Sequence, residues 1–462
     1  MDILAFKESV KVHRSGQAEL QALQGFFLAL FFKYNPGISQ SMDEKNFKNE
    51  VAGALTTFVA ISYVLLVVPK ILADAGIPFQ DALVATAIAS GVATIIMGII
   101  ANRPFAVAPS IALASFFTYT VVKGLGVSWQ VALAAVFFEG LLFFGISISR
   151  VRSWFGVGIP YNMKYSIIAG VGLFLVFLGM REGGIIVPDE KMFIKMGSLF
   201  APGPVITIMG FFIIALLLLK KIRGSLLFGI LLSTTIAIAS GLSSLPTEIF
   251  SVPSEPSTLF ALDIHGLMNA SILSIVLAFF MVDFFDTLGA STALLVKTND
   301  VNEKGHIKNI DKVMISDSIG TAIGSVIGVP AQVVYLESAA GIHEGARTGI
   351  AAFIIGILLI LSMFFFPLIE KIPMEAIAPA LIIVGLLLAT NIRHVDFSEF
   401  TEALPSLLTL SAIPLSFSIS HGIGIASIVY VMLKLCAGKY RDVHPAMYAI
   451  AALFLLDYLQ VF

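Results

Sequence analysis

Two acidic stretches within apolar sequence decide the fold of this chain: AFFMVDFFDTLG, residues 278–289, and VVYLESAAG, residues 333–341. The first carries Asp283 and Asp286, and the second carries Glu337. An ionised carboxylate at the centre of a bilayer costs about 3 kcal/mol, so such groups persist mainly where they face a protein interior and bind something. The two stretches therefore predict a membrane protein with an acidic internal binding site, which is the arrangement of a transporter.

The composition is that of a chain whose solvent is lipid. Hydrophobic residues make up 58% of the 462 residues and charged residues 13%, and the mean hydropathy is +0.95. These values exceed what a soluble protein of this length contains. The formal net charge of −2 indicates no nucleic-acid partner, because such a partner requires a strongly basic surface.

Apolar runs of membrane-spanning length recur from Val51 onward, and we number them spans 1 to 14. Each approaches the ~20 residues that a helix needs to cross a bilayer, although several are shorter. We therefore predict an all-α polytopic membrane protein with two groups of seven spans. The first group covers residues 51–68, 81–100, 104–122, 128–148, 164–180, 203–219 and 225–242. The second covers 269–293, 313–328, 331–345, 349–367, 375–390, 404–418 and 421–437.

The two ends of the chain lie outside these spans. Residues 1–48 are polar apart from the short apolar run Gly25–Phe32, which fits an interfacial helix. Residues 441–462 form a C-terminal tail, and its apolar part, 446–462, cannot be assigned as a span or as a surface element.

Lysine and arginine cluster in alternate connections between spans. The positive-inside rule places these connections, and with them the N-terminus, in the cytoplasm. We therefore expect a multi-pass protein of a cell membrane, inner or plasma. Arg181, Lys191 and Lys195 lie in an outer loop and are the main exceptions. The basic connections contain Arg103; Arg150, Arg152 and Lys164; Lys220, Lys221 and Arg223; Lys297, Lys304, Lys308 and Lys312; Arg347; Arg393; and Lys434, Lys439 and Arg441.

Spans 3 and 10, the third of each group, are interrupted by proline. Span 3 contains Pro104 and Pro109, and span 10 begins at Pro330 ahead of the β-prone residues Val333 and Val334. Proline removes a backbone donor and disfavours helix before it, so each span should start extended and become helical midway. Corresponding broken spans are what inverted repeats produce, and irregular backbone at that depth lines a cavity or is buried in protein.

Small residues precede the second broken span. Gly320, Gly324 and Gly328 recur at intervals of four, a spacing that lets helices pack closely. We expect two half-helices near the bilayer midplane, whose first N–H groups lack partners within the helix.

Several long motifs, taken in order, resemble the AzgA-like purine permeases, a branch of the nucleobase–cation symporter superfamily that includes uracil and xanthine permeases. The resemblance covers about residues 49–445. The motifs are AGALTTFVAISYVL (52–65), SWQVALAAVFFEGLLF (128–143), VDFFDTLG (282–289), YLESAAGIHEGARTG (335–349), APALIIVGLL (378–387) and IPLSFSISHGI (413–423).

The resemblance implies two inverted seven-span repeats that form a core domain and a gate domain. Transport in such a fold looks like an elevator movement of the core against the gate. The core domain would comprise residues 49–150 (spans 1–4) and 266–370 (spans 8–11). The gate domain would comprise residues 151–245 (spans 5–7) and 371–440 (spans 12–14). The lipid bilayer is the expected surrounding, and a homodimer through the gate domains is a further candidate partner.

The resemblance also implies a substrate site between spans 3, 8 and 10. Asp283 matches the acid of the family's eighth span, and Glu337 matches the acid of its tenth. Ionised carboxylates only accept hydrogen bonds, so they suit the ring N–H and amino groups of a purine such as hypoxanthine, guanine or adenine. Further candidate substrate contacts are Asp286, Gln332, the half-helix residues Ala114, Ser115, Phe116, Leu336 and Ser338, and the aromatic rings of Phe116, Phe284 and Tyr335.

Coupling to protons follows from the number of acids. Two or more carboxylates in one dry site cannot all ionise cheaply, so at least one should exchange protons. The candidates for this role are Asp283, Asp286, Glu337, Asp317 and Glu139. For Glu139 and Asp317, hydrogen bonding between helices is the alternative interpretation. Sodium is the alternative coupling ion. No cofactor or resident metal is expected, since the histidines lack metal-ligand spacing.

Two departures from the family pattern affect the choice of substrate. Span 3 of the family commonly reads APGMGLNAFF, whereas this chain reads APSIALASFF, which replaces an asparagine beside the substrate by Ala114. The usual serine and threonine run before the acid of span 10 is also replaced, here by residues 330–334. Loss of an amide that both donates and accepts can change discrimination between analogues by orders of magnitude. The fold and the transport class should survive these changes.

The prediction is therefore a proton-coupled importer of a purine nucleobase. Three alternatives stay open on the residues alone. A carrier of another small solute or an anion would use the same fold, although an acidic site disfavours an anion. A membrane-embedded enzyme with paired carboxylates would release a chemically different product. A sensor would bind a base without accumulating it.

Overall fold

The computed structural model describes residues 44–149, 160–189, 193–245, 248–268, 271–298, 300, 308–416 and 418–459. The predicted interfacial helix at Gly25–Phe32 lies outside the described residues. Within them, helical structure is found at every predicted span, so the prediction of an all-α polytopic membrane protein is confirmed.

Helices of the first group have the following bounds. Span 1 consists of Glu44–Ile61 and Val64–Asp74, and span 2 is Phe79–Ile100. Span 4 is Trp129–Ile148, span 5 is Tyr161–Glu182, span 6 is Pro202–Leu219 and span 7 is Ser225–Ala239. A small hairpin joins spans 5 and 6, with strands that we label β2 (Ile186–Asp189) and β3 (Phe193–Met196).

In the second group, span 8 is Ser271–Lys297 and span 9 is Ile310–Ile327. Span 11 begins with Gly349–Leu361 and continues through Ser362–Phe365 to Phe366–Glu370. Span 12 is Met374–Ala389 extended by Thr390–His394, span 13 is Phe400–Ser416 and span 14 is Ile419–Cys436. The previously unassigned tail contains a helix at Pro445–Tyr458.

By length and composition, eight of the described helices could cross a membrane, and four shorter apolar helices accompany them. The eight include spans 1, 2, 4, 5, 6, 8, 11 and 12. Span 9 is long enough, but its 18 residues contain Asp311, Lys312 and Asp317. Charged residues in a span of this kind face the protein interior, so its neighbours are expected to carry polar partners.

Spans 3 and 10 are broken as predicted, and their extended parts pair with each other. Strand β1 (Val107–Pro109) opens span 3, and β4 (Gln332–Val334) opens span 10. The two strands are antiparallel, with Val107 opposite Val334. Span 3 continues as Ile111–Ser115, a π-helical stretch Phe116–Val122 and Lys123–Leu125, and span 10 continues as Ser338–His343.

The outer edges of this two-stranded sheet are satisfied by threonines of the preceding spans. Thr94 of span 2 donates to the carbonyl of Val107 at 2.9 Å and accepts from its N–H at 3.0 Å. Thr321 of span 9 does the same for Gln332, at 3.1 and 3.0 Å. Because lipid offers no hydrogen bonds, backbone at membrane depth requires such partners. The two threonines hold the broken spans in equivalent ways.

The packing of the helices repeats when every span number is shifted by seven, with span 1 taken to follow span 14. Span 2 packs against span 11, and correspondingly span 9 packs against span 4. Span 6 packs against spans 7 and 12, and span 13 packs against spans 14 and 5. A shift by an odd number reverses the direction in which a span crosses the membrane. The antiparallel pairing of β1 with β4 follows from this inverted repeat.

Two packing groups result from these contacts. Spans 1–4 and 8–11 pack chiefly among themselves, and spans 5–7 and 12–14 form the other group. The division into a core domain and a gate domain stays a prediction, as does their relative movement.

Glycines allow the closest helix contacts within each group. A Cβ at Gly98 would lie 2.6 Å from the carbonyl oxygen of Gly349, and one at Gly385 would lie 2.6 Å from that of Gly172. Gly320, singled out in the sequence, faces Ala93 of span 2. These distances leave no room for a side chain, so the glycines set the helix separation.

Candidate functional site

A cavity of about 190 Å³ lies where the two broken spans meet the gate helices. Ser110, Ile111 and Ala112 border it from span 3, and residues 333–337 border it from span 10. The remaining wall is mostly apolar and comes from spans 1, 5, 7, 8 and 12. It consists of Tyr63, Leu175, Leu226, Asp286, Ala290, Val384, Leu387 and Leu388. The volume suits a small organic molecule held by few polar groups.

Two carboxyl groups provide the charge of this cavity. Asp286 from span 8 and Glu337 from span 10 both line it, and they are near enough to interact electrostatically. Both residues are partly exposed, in contrast to the other acids of the membrane interior. Ionised carboxylates only accept hydrogen bonds, so together they can bind a molecule that presents N–H groups in two directions.

Two neighbouring tyrosines line the same cavity. The hydroxyl of Tyr63 donates to Glu337 Oε1 at 2.9 Å. The hydroxyl of Tyr335 donates to the carbonyl oxygen of Pro109 at 2.7 Å and so joins spans 10 and 3. Of the aromatic residues that we predicted to stack on a substrate, only Tyr335 lines the cavity.

The residues predicted as half-helix contacts in span 3 lie about one helical turn beyond those that border the cavity. The N–H of Ala114 donates to the carbonyl of Ser110 at 2.8 Å, and Ser115 and Phe116 lie further inside the helix. The helix begins at Ile111 because the strand ends at Pro109. Ser110, Ile111 and Ala112 therefore replace Ala114, Ser115 and Phe116 at the cavity.

The two residues predicted as half-helix contacts in span 10 have different surroundings. Leu336 borders the cavity beside Glu337. Ser338 does not border it, because its Oγ accepts a hydrogen bond from the N–H of Ala106 at 2.9 Å. Ser338 thus fixes span 10 to the start of span 3.

Asp283, predicted as a principal ligand, lies away from the cavity. Its side chain is fully buried and faces spans 4 and 9, one helical turn from Asp286. There it meets Glu139 and Asp317, both also fully buried. We refer to Glu139, Asp283 and Asp317 as the acidic cluster. The helical periodicity explains the separation, since residues three apart diverge by about 60° around a helix axis.

Hydroxyl groups link the members of the acidic cluster. Thr287 donates to Asp317 Oδ2 at 2.7 Å and lies 3.5 Å from Asp283 Oδ1. Thr321 lies 3.3 Å from Asp283 Oδ2. No described hydroxyl or amide group donates to Glu139, whose neighbour is the carboxyl group of Asp283. Adjacent carboxyl groups of this kind share protons, because ionising all of them in a dry interior is costly.

Other predicted contacts have structural partners instead. Gln332 is fully buried, and its amide donates to the carbonyl of Gly320 at 2.7 Å. Phe116 packs edge-on against Phe279, and Phe284 packs against Phe143. None of these residues lines the cavity. Gln332 and the two phenylalanines thus stabilise the walls behind the site.

Charged side chains lie where the two packing groups meet, at both membrane faces. Arg223, in the connection after span 6, forms an ion pair with Glu344 after span 10, and His343 lies 3.3 Å from the same guanidinium. At the other face, Tyr119 of span 3 donates to Asp74 at the end of span 1 at 2.6 Å, and Lys123 lies 4.0 Å from that acid. Glu182 of span 5 interacts electrostatically with Asp74 and Lys123.

Sequence reasoning missed several residues of the site. Tyr63 lies within the motif AGALTTFVAISYVL, but a tyrosine in an apolar run carries no signal of its own. Thr287 and Thr321 could have been noticed, because Thr287 follows Asp286 directly and hydroxyls often bridge membrane helices. The apolar walls at Leu226 and Leu387 come from distant spans and leave no local pattern.

This chain is similar in sequence to a known protein family and to several named proteins. Residues 48–427 match a family described as "Permease family", the Xan_ur_permease group. A Methanocaldococcus jannaschii protein, named as a permease without a substrate, is 40% identical over 417 residues, which are 90% of this chain and 96% of that protein. The adenine permease AdeQ of Escherichia coli is 32% identical, covering 90% of this chain and 93% of its own. The guanine/hypoxanthine permease PbuO of Bacillus subtilis is 35% identical, covering 90% and 98%.

Solved structures agree on the fold. The transmembrane domain of a cyanobacterial bicarbonate transporter, BicA, superposes with a TM-score of 0.62 at 15% identity, covering 83% of this chain and 98% of that domain. The murine anion transporter Slc26a9 gives a TM-score of 0.64 at 10% identity, covering 94% of this chain and 75% of its own. At these identities the likeness extends to the fold alone.

Proposed function

The chain belongs to the xanthine/uracil permease family and is a multi-pass membrane transporter rather than an enzyme, and from this premise we propose that it imports a purine nucleobase together with protons. The proposed substrates are hypoxanthine, guanine and adenine. The proposed movement is an elevator displacement of the core domain, spans 1–4 and 8–11, against the gate domain, spans 5–7 and 12–14. The proposed location is an inner or plasma membrane with a cytoplasmic N-terminus.

The names of the relatives support a purine. AdeQ is named for adenine and PbuO for guanine and hypoxanthine, and each is aligned over about nine-tenths of this chain. Purines present ring N–H groups at their edges, and these groups donate hydrogen bonds that carboxylates accept.

One observation carries the proposal: Asp286 and Glu337 face a single small cavity between the broken spans. Their two carboxylates supply acceptors, and the apolar walls suit the faces of a flat ring. An anion would be repelled by both acids, which weighs against the alternative of an anion carrier on this fold. Asp286 replaces Asp283 as the partner of Glu337 in this proposal.

The acidic cluster supports protons as the coupling ion. Glu139, Asp283 and Asp317 are fully buried side by side, and Thr287 and Thr321 supply few donors for six carboxyl oxygens. At least one proton is required to keep such a group in a dry interior. Thr321 also contacts the backbone of Gln332 in β4, so the cluster is tied to a strand that borders the cavity.

The position of the cavity supports an arrangement that faces the cytoplasm. Leu226 lies in the first turn of span 7, and Leu387 and Leu388 lie in the last turn of span 12. These helix ends adjoin the lysine- and arginine-rich connections that the positive-inside rule assigns to the cytoplasm. At the opposite face, the contacts of Asp74 with Tyr119 and Lys123 lie between the cavity and the other side.

Uptake into proteoliposomes tests the proposal. Labelled hypoxanthine, guanine, adenine, xanthine and uracil are supplied with and without an inward proton gradient. We expect gradient-dependent accumulation of at least one purine, lost in Glu337→Gln and in Asp286→Asn because each removes an ionised acceptor from the cavity. Losing a hydrogen bond to a charged group costs about 1.5–3 kcal/mol, so affinity should fall at least tenfold.

Glu370→Gln provides the matched control, because Glu370 is exposed at the end of span 11 and lies outside the cavity. Its uptake should equal that of the unmodified protein. Folded protein that accumulates none of the five bases would contradict the proposed function, and accumulation driven by a sodium gradient alone would contradict proton coupling.

A further inference from the structure

We propose that Tyr63 is a positioning residue that orients Glu337 and thereby sets how the cavity discriminates between nucleobases. The inference rests on the proposed function, since it concerns the same cavity. Tyr63 belongs to span 1, whereas the carboxylates come from spans 8 and 10. Tyr63 would act through Glu337, by the hydrogen bond that the tyrosine hydroxyl donates.

The hydrogen bond between the two residues is direct. Tyr63 Oη donates to Glu337 Oε1 at 2.9 Å. In the part of the chain that the structure describes, Tyr63 is the one side chain that donates to this carboxylate. Glu337 precedes the short helix Ser338–His343, and its own backbone N–H also contacts the carboxylate, so Tyr63 is the contact that ties this carboxylate to another span.

Tyr63 itself is held firmly. Its side chain is 2% exposed, and its ring meets that of Tyr335 edge-on at 6.5 Å between centroids. It stands at the interruption of span 1 between Ile61 and Val64, where the chain leaves regular helix. The N–H groups of Leu66 and Val67 both donate to its carbonyl oxygen at 3.0 Å, which fixes its backbone.

The consequence for recognition follows from the number of acceptor atoms. A tyrosine hydroxyl has one hydrogen to donate, and here Glu337 Oε1 accepts that hydrogen bond from Tyr63. Oε2 of Glu337 then remains for the substrate in an orientation that Tyr63 holds, beside the carboxylate of Asp286. An acceptor held in place favours bases whose N–H groups reach it over bases that present them elsewhere.

Tyr63→Phe removes only the hydroxyl and keeps the packed ring. We expect KM for the transported purine to rise about tenfold while Vmax stays within twofold, because a charge-assisted hydrogen bond no longer orients the binding carboxylate. The ratio of KM values between guanine or hypoxanthine and adenine should shift at the same time. A purely structural role would instead lower Vmax, or the amount of folded protein, for every base alike.

Tyr448→Phe is the matched control, since Tyr448 lies in the C-terminal tail, away from the cavity, and its hydroxyl donates to the carbonyl of Tyr440. It should leave KM unchanged. Unchanged KM values in Tyr63→Phe, or an equal loss of Vmax for all bases, would overturn the proposal.

A second measurement needs no transport. Infrared difference spectra of substrate-free protein can identify the carboxyl band of Glu337 by its loss in Glu337→Gln. That band should shift in Tyr63→Phe and not in Tyr448→Phe, because hydrogen bonding changes the carboxyl stretch. An unshifted band would refute the contact. If the unmodified protein takes up no purine but the band shifts, the proposed substrate fails while the orienting role of Tyr63 stands.

Discussion

At the scale of single residues, Asp283 and Asp286 have different surroundings although one helical turn separates them. Asp286 lines the cavity with Glu337, whereas Asp283 is fully buried with Glu139 and Asp317. Two acids on one helix can therefore divide the work of a coupled carrier. One would contact the substrate, and the other would belong to a store of protons.

The variant Asp283→Asn tests this division. We expect exchange of labelled purine across vesicles at equal pH to continue within about threefold, because the cavity acids are intact. Accumulation driven by a proton gradient should be lost, because the acidic cluster then has one carboxyl group fewer to share protons. Asp286→Asn should lose both activities. If Asp283→Asn abolished exchange as completely as Asp286→Asn, the division would be wrong.

At the scale of elements, glycines fix the distance between paired helices in each group. In Gly385→Ala, the new Cβ would lie 2.6 Å from the carbonyl oxygen of Gly172 and 2.7 Å from the N–H nitrogen of Val176. Backbone atoms cannot yield as a flexible side chain does, so spans 5 and 12 must separate. Overpacking of this kind costs about 1–3 kcal/mol.

We therefore expect Gly385→Ala to lower the melting temperature of the purified protein and to reduce transport. Gly145→Ala is the control, because a Cβ at Gly145 meets no atom within 4 Å. Both changes raise helix propensity by about 1 kcal/mol, so only the packing differs. Equal melting temperatures for the two variants would show that the gate helices tolerate a wider separation.

Much of the element scale could be predicted from the sequence. Lipid satisfies no backbone hydrogen bonds, so long apolar runs must be helical, and the prolines at 109 and 330 mark where helices cannot continue. That is why the helices and both broken spans lie where we expected them. The five acids singled out in the sequence are those that the structure places in the cavity and in the acidic cluster, and their roles stay predictions.

Which way a side chain faces within the helix bundle, and which residues far apart in the sequence make contact, could not be predicted. Whether Asp283 or Asp286 faces the cavity depends on a rotation of about 60° of span 8, which hydrophobicity does not resolve because the span is apolar on every side. The start of the half-helix at Ile111, rather than Ala114, depends on where pairing with β4 ends. Tyr63 was missed because its partner, Glu337, is distant in the sequence.

At the scale of the whole molecule, the polar contacts between the two packing groups include an ion pair. Arg223 and Glu344 pair across the boundary at the face rich in lysine and arginine. An elevator displacement would separate them, so the pair would stabilise the arrangement in which the cavity adjoins that face. An exposed ion pair contributes about 0–1 kcal/mol, so its loss should shift the equilibrium by up to about fivefold.

Cysteine labelling can measure this shift. Leu387 is half exposed at the cavity, so the variant Leu387→Cys provides a thiol to label. The background is Cys436→Ser, because Cys436 is itself exposed. We expect Arg223→Ala to slow labelling by a reagent supplied from the cytoplasmic face. The charge swap Arg223→Glu with Glu344→Arg should restore the rate. Labelling that is unaffected by Arg223→Ala would mean that the pair does not influence the equilibrium.

The pairing of β1 with β4 also governs how the protein can be synthesised. Val107 leaves the ribosome long before its partner Val334. At 5–20 residues per second the delay is roughly 10–50 seconds. During that interval the N–H and C=O groups of β1 have no strand beside them, and a bare bilayer cannot replace it. The first seven spans therefore cannot complete their fold alone, and the nascent chain must keep span 3 shielded, within the insertion machinery or at the interface, until the second half arrives.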